Sequence, residues 1–471
     1  HYYLCRQLKG GGMEIKMKQL QTPFFRIREK DLLYDIFLLQ EALTQNWGNY
    51  ITGYSVKTNS LPWLLHYLKE RGFYAEIVSR PEYDLAVRLG FPAGHLIYNG
   101  PIKDRQAFES VLLSGGYVNL DSNYELDWME ELSARYPDRI FKIGVRVNCN
   151  IAVLCPEETL ISESGRFGYC YENGRLKAAI DRLHKLSNVK VSGLHLHSST
   201  QSRTVQVFAA LAKMAVQIAR EYVLSLDYID MGGGYFGGRD DKPDYRDYFK
   251  EICRELSVFF DPAKTVLIVE PGVSLVSRAV TFETSVIDIN EIRGQKFVIT
   301  DGSRTNLNPM VTRHVYPHHM EYCSDTDTRN TEPSQWVCGA TCMEYDRLFE
   351  ITNEAALLPG DRIIYDTAGG YTICLNPLFI NYFPAVYVEH ADGALFTARQ
   401  AWTNEEFMQK NFTETDAAKP IIPLMANENL QANRNLLASE SLQASENLQT
   451  IENLQTNRNL QAQEVFHEQG N

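Results

Sequence analysis

The sequence predicts an α/β chain built on a parallel (β/α)8 barrel, followed by a second, all-β domain. Two observations carry the prediction. Across residues 41–280, short apolar runs alternate with segments whose apolar residues recur at three- and four-residue spacing; after about residue 280, β-rich runs follow one another with few helical patterns.

In order, the strand-like runs are "YITGYSV", "FYAEIV", "HLIYN", "YVNLD", "FKIGVRVN", "VSGLHLH", "YIDMGGG" and "TVLIVEPG". Between them lie helical patterns such as "LPWLLHYLKERG", "RPEYDLAVRLG" and "TVQVFAALAKMAVQIAREY". About eight such units in that span suit a closed barrel better than an open sheet. The later runs "VTFETSVIDI", "KFVITDG", "RLFEI", "DRIIYDTAGGYTICL" and "AVYVE" define the β domain over 281–405, and "TPFFRI" within 17–40 is expected to join it. Residues 1–16 are expected to be a non-native or disordered extension, with Met13 or Met17 as the start of translation. Residues 406–471 form a low-complexity tail. Its leucines at 430, 436, 442, 448, 454 and 460 recur every six residues, which spirals them around a helix instead of aligning them, so disorder is expected.

Composition narrows function. The chain has 471 residues, 44% hydrophobic and 22% charged, with a net charge of −13. That acidic balance argues against nucleic acid as a partner. No apolar run is long enough to span a bilayer, so no membrane partner is expected. Nine cysteines without framework spacing suggest reduced thiols and a cytoplasmic location.

Several polar residues fall at the C-terminal ends of predicted strands, where barrel enzymes carry chemistry: Lys57, His195, His197, the glycines of "DMGGGYFGG" and Glu270. The glycine run offers backbone N–H groups to a phosphate but lacks the Gly-Lys-Ser/Thr of a nucleotide loop. The alternate histidines lack a third ligand at characteristic spacing, so no metal is expected.

Six segments in order, "YSVKTN", "GLHLHSSTQ", "DMGGGYFGG", "VEPG", "CGATCMEYD" and "TAGGYT", resemble the fold-type III pyridoxal-phosphate decarboxylases, the group of diaminopimelate and ornithine decarboxylases. The resemblance implies pyridoxal 5′-phosphate as cofactor and an amino-acid carboxy-lyase, acting through a Schiff base and a quinonoid to give an amine and CO2. It makes Lys57 the Schiff-base lysine, His197 the imidazole stacked on the cofactor ring, and Glu270 the partner of the ring nitrogen. Thr200, Gly232, Gly233 and Gly234 would cradle the phosphate, and Tyr371 would donate to it. Cys342 would protonate the substrate carbon from the partner subunit of a homodimer with shared active sites. Arg146, Glu344 and Asp346 would contact the amino-acid substrate, and Arg166 matches a further basic position.

Two departures bear on ligands. Val273 follows "EPG" where the family commonly has Arg, and Met343 follows Cys342 where diaminopimelate and ornithine decarboxylases have Glu and Asp. The segment "DGSRTNLNPMVTRH" also lacks the Arg-Pro of the diaminopimelate pattern. An altered distal recognition site follows, whether for a diaminopimelate- or ornithine-like amino acid or for a carboxylated amino-acid-derived intermediate. The alternatives are an amino-acid racemase on the same barrel, which the acidic Glu270 disfavours, and a non-catalytic regulatory homologue, which retention of Lys57 and Cys342 disfavours.

Overall fold

The computed structural model describes residues 20–157, 165–198, 203–239, 241–312 and 315–411. The chain divides into two compact units, 1–403 and 404–471; in the second, the described residues form a short helix, Asn404–Met408. The hexapeptide repeat, residues 1–16 and Thr200 lie outside the described residues.

In the first unit, eight parallel strands pair each with the next in sequence: Tyr50–Ser55, Tyr74–Ile77, Leu96–Tyr98, Tyr117–Leu120, Phe141–Asn148, Val189–His195, Tyr228–Asp230 and Val266–Val269. The ring closes where Leu267 pairs with Tyr50. Each of the eight predicted runs therefore supplies one barrel strand, and a two-residue strand, Tyr169–Cys170, adds to the end of Phe141–Asn148. The helices between them bury the expected stripes. In Val205–Glu221, the buried residues include Val207, Phe208, Leu211, Ala212, Ala215, Ile218 and Ala219, the three-and-four spacing read from sequence. Asp244 starts Tyr245–Leu256 by accepting from the Arg246 N–H at 2.8 Å, while Asp247 accepts from the Asp244 N–H at 3.0 Å.

The barrel interior is layered. Ile97, Tyr228 and Ile268 form an apolar cluster with Ile51, Tyr74, Tyr117 and Val266 packed against it. Gly144 and Gly193 make room for the Tyr228 ring, since a Cβ at either would overlap it. Because strand side chains alternate, the residue two places further on points the same way. Tyr74 is thus followed by Glu76, Ile97 by Asn99, Tyr117 by Asn119, Tyr228 by Asp230 and Ile268 by Glu270, so a polar layer sits directly above the apolar one, at the C-terminal end of the strands.

The second sheet has nine strands. Its backbone is the 13-residue strand Val280–Ile292, which pairs antiparallel with three strands, Phe24–Arg28, Arg362–Tyr365 and Gln295–Thr300, and shifts register between Val286 and Asp288 within the last pairing. Phe24–Arg28 lies between Val280–Ile292, antiparallel, and Ala385–Glu389, parallel. The segment "TPFFRI" thus leaves the second sheet and enters the barrel through the helix Glu29–Asn46.

Candidate active site

The strand Tyr50–Ser55 ends two residues before Lys57, which rides on a single 3-10 turn, Val56–Thr58. Val56 and Thr58 are buried and anchor the turn, while the Lys57 side chain, 39% exposed, opens into the cavity above the barrel. Its Nζ donates to Glu76 Oε2 at 2.5 Å and to Ser55 Oγ at 2.7 Å. Burial opposes the ammonium, but the charge and hydrogen bond of Glu76, with Glu270 further off, outweigh it and raise the Lys57 pKa above the ordinary lysine value. Glu76→Gln is therefore expected to lower that pKa. Because only the neutral amine attacks an aldehyde, the pH dependence of cofactor attachment should shift to lower pH; an unshifted profile, measured by absorbance, would remove Glu76 from this role.

Glu270 stands one residue beyond Val266–Val269 and is buried. Asn99 Nδ2 donates to Glu270 Oε1 at 2.6 Å and to Glu76 Oε1 at 3.2 Å, which links the lysine's partner to the second carboxylate. Asp230 accepts from the Gly232 N–H and from Asn119 Nδ2, each at 2.9 Å, and Asn119 Oδ1 accepts from the Tyr228 hydroxyl at 2.9 Å. His195, Asp230 and Glu270 converge, with their nitrogen and oxygen atoms within 4.8 Å of one another. Burial and the Glu270 charge push the Asp230 carboxyl well up. Burial works against Glu270 too, yet His195, Lys57 and a hydrogen bond from Asp230 hold it below the usual carboxylate range. One proton thus serves the two acids and resides on Asp230, leaving Glu270 ionised.

His197 lies just past the end of Val189–His195, and its Nδ1 accepts from the Gly233 N–H at 3.1 Å. Burial, then the charge of Arg146, lowers its pKa to about 3, so the imidazole stays neutral. The glycine run wraps closely around it. Gly232 has φ +62°, and a Cβ there would come within 2.6 Å of His197 Cβ and Nδ1; a Cβ at Gly233 would overlap the Glu270 carbonyl. Tyr371 arrives from the second sheet's side: its N–H donates to the Thr58 carbonyl at 2.9 Å, while Asn59 Nδ2 donates to the Gly369 carbonyl at 3.2 Å. The two sheets are joined at the lysine turn itself.

These groups line one cavity of about 1150 Å³. It contains Lys57, His197, Gly233, Gly234, Glu270 and Tyr371, together with Arg146 and Arg166. Arg146 pairs with Asp121 at 3.1 Å, and the two guanidinium groups lie 4.8 and 4.3 Å from the Phe167 ring centre. Sequence reasoning missed Glu76, Asn99, Asn119 and Asp230, although each sits two places after an inward apolar residue.

The segment 342–346 is not among the residues lining this cavity. Cys342 is exposed, and the Glu344 side chain is 98% exposed, 3.8 Å from Arg347. Asp346, expected at the substrate, is instead buried and saturated by its own surroundings: it accepts from Ser303 Oγ at 3.0 Å, the Arg304 N–H at 2.8 Å, the Thr341 N–H at 3.1 Å and Thr341 Oγ1 at 2.5 Å. Such a carboxylate ties the 339–346 loop to Ser303 and Arg304.

The donor set fits pyridoxal 5′-phosphate. An amine, an ionised carboxylate, a neutral flat imidazole and the backbone of Gly233 and Gly234, bare of side chains, all face one space. Residues 35–277 match the family model described as "Pyridoxal-dependent decarboxylase, pyridoxal binding domain". Among curated proteins, the chain is 27% identical to a diaminopimelate decarboxylase of Bacteroides thetaiotaomicron, over 76% of this chain and 92% of that one. It is 25% identical to an L-glutamyl-[BtrI acyl-carrier protein] decarboxylase of Niallia circulans, over 83% and 94%. Among solved structures, diaminopimelate decarboxylase from M. jannaschii in complex with L-lysine superposes with a TM-score of 0.74 at 21% identity, covering 86% of this chain and 94% of that one. The chain belongs to the pyridoxal-dependent decarboxylases, carboxy-lyases whose cofactor is pyridoxal 5′-phosphate.

Proposed function

We propose that the chain decarboxylates an α-amino acid at the cavity around Lys57, as a cytoplasmic homodimer whose two active sites are shared. The observation that carries the reading is the continuous link Lys57–Glu76–Asn99–Glu270, which ties the attaching amine to the carboxylate meant for the ring nitrogen. When bound, the cofactor supplies a sink for the electron pair left on the substrate carbon as CO2 departs. Lys57 anchors it, and Glu76 takes up and returns the proton on Nζ. His197, kept neutral, packs against the flat ring. Glu270, kept ionised by the protonated Asp230, holds a proton at the ring nitrogen and so strengthens the sink, which favours decarboxylation over racemisation. The glycines 232–234 and Tyr371 would hold the phosphate.

Arg146 lines the cavity, paired with Asp121, and in this reading its guanidinium meets the substrate carboxylate. The relatives' names give diaminopimelate and a carrier-bound L-glutamyl group, and the substrate class drawn from them is an α-amino acid, free or derivatised. The L-lysine in the M. jannaschii complex is consistent with that class.

Cys342 and Glu344, exposed here, act in the cavity of a second copy, where the Cys342 thiol returns a proton to the substrate carbon. Mixing inactive Lys57→Ala chains with inactive Cys342→Ala chains is expected to restore about a quarter of wild-type activity, because half of randomly exchanged dimers carry one intact site. Exchange without recovery, followed by mass spectrometry of tagged subunits, would exclude the shared site. Borohydride reduction of the loaded protein should leave the cofactor on the Lys57 peptide. An adduct on another lysine would overturn the assignment.

A further inference from the structure

Two buried amides, Asn99 and Asn119, join the site's three carboxyl groups, and the direction of every hydrogen bond in that chain is set. Asn99 spends both N–H groups of its Nδ2 on carboxylates, Glu270 Oε1 at 2.6 Å and Glu76 Oε1 at 3.2 Å. A carboxylate can only accept, so the Asn99 carbonyl faces the other way, where Asn119 Nδ2 donates to it at 2.9 Å. The second N–H of Asn119 goes to Asp230 Oδ2, also at 2.9 Å. Both amides have then used all their protons, and one acceptor is left over, the carbonyl of Asn119.

That acceptor is met from the apolar layer. The Tyr228 hydroxyl donates to Asn119 Oδ1 at 2.9 Å, and among the described residues it is the only donor to that atom. Burial pushes the phenol well up, so it stays protonated and able to donate. The neighbouring strand leaves space for this one bond: Gly144 is the register partner of Asn119, and a Cβ there would overlap both Asn119 Oδ1 and the Tyr228 hydroxyl. Neither Tyr228 nor Asn119 is among the residues lining the cavity.

We propose that Tyr228 is a positioning residue for the reaction: from below the cavity, its hydroxyl holds the Asn119 amide with its N–H groups toward Asn99 and Asp230, and so directs the Asp230 proton at Glu270. Without the phenol, the Asn119 carbonyl is a buried acceptor with no donor, a cost that favours turning the amide over. Asp230, already in contact with Asn119, carries a proton that the overturned amide accepts. Glu270 then loses the hydrogen bond from Asp230 that helps to keep it ionised. The bearing on catalysis rests on the reading of Glu270 as partner of the cofactor's ring nitrogen; the polarity of the amide chain does not.

The test is Tyr228→Phe, which keeps the ring and removes only the hydroxyl. In the full-length protein without cofactor, infrared difference spectra against Asp230→Asn identify the band of the Asp230 carboxylic acid. That band is expected to shift in Tyr228→Phe, because Asp230 gives up an N–H donor and its proton takes a new acceptor. The protein is then loaded with pyridoxal phosphate carrying ¹⁵N in the ring, and the nitrogen resonance is followed against pH. The protonation constant of the ring nitrogen is expected to fall by about 10- to 100-fold, the scale of one charge-assisted hydrogen bond, while pyridoxal phosphate affinity stays within about threefold. If Tyr228→Phe fails to fold by circular dichroism, Asn119→Asp carries the same contrast, since it keeps the Tyr228 bond but turns an oxygen toward Asp230. An unshifted Asp230 band, or a lower melting temperature with the band and the nitrogen resonance unchanged, would overturn the inference. A shifted band in a protein whose ring nitrogen is unprotonated even in the wild type would instead overturn the role given to Glu270.

Discussion

Lys57→Ala protein is expected to release CO2 about 10⁴- to 10⁶-fold more slowly than wild type, the scale on which removal of a covalent catalytic group acts. The size of the effect follows from how Lys57 is held. Its amine is the cation paired with Glu76, and it stands on a turn whose flanking residues, Val56 and Thr58, are fully buried. Among the described residues, no second lysine lines the cavity to replace it. Substitution also strands Glu76, which is 1% exposed, opposite no charge, so loss of activity could be confused with loss of fold. Lys57→Arg separates the two: it keeps a cation opposite Glu76 but offers no amine that can condense with an aldehyde, and it is expected to fold and to be equally inactive. Thermal melts alongside CO2 assays check both; an active Lys57→Arg protein would contradict the assignment.

Glu270→Gln is the second large effect. The amide preserves the shape that Asn99 and His195 contact but removes the charge that holds a proton on the ring nitrogen. Removing one member of a buried, charge-assisted pair costs about 2–5 kcal/mol, or roughly 30- to 5,000-fold in rate if it acts on the chemical step. Cofactor attachment at Lys57 should survive, because Asn99 still joins the two sides of the site. The neighbouring acid offers an internal check. Burial and the Glu270 charge are what push Asp230 up, so in Glu270→Gln the Asp230 carboxyl should fall toward the ordinary range. A carboxyl-resolved infrared titration showing Asp230 unchanged would mean that the two acids do not share a proton.

Much of this site was legible in the sequence because a parallel barrel writes itself plainly. Strands buried on both faces read as unbroken apolar runs, and the polar residue that ends each run falls at the rim. That is how Lys57, His197, the glycine run and Glu270 could be placed together before the fold was known. The misplacements have physical causes. Lys57 follows its strand on a 3-10 turn, which apolar periodicity cannot distinguish from strand continuation. Glu76 and Asp230 lie inside apolar runs and look like interruptions of them; only the two-residue offset from Tyr74 and Tyr228 shows that they point inward. Asp346 has the spacing of a functional residue, yet two donors from Thr341 in its own loop and two from Ser303 and Arg304 engage it, and no spacing rule distinguishes a carboxylate that holds a loop from one that meets a ligand.

The most direct test of the account is to incubate the cofactor-loaded protein with a panel of L- and D-amino acids and carboxylated amino-acid derivatives, measuring CO2, amine product and enantiomer composition together. The predicted result is CO2 and amine formed in equal amounts from at least one substrate, with no interconversion of enantiomers and with the release abolished in Lys57→Ala. Interconversion of enantiomers without CO2, or CO2 release undiminished by Lys57→Ala, would contradict it.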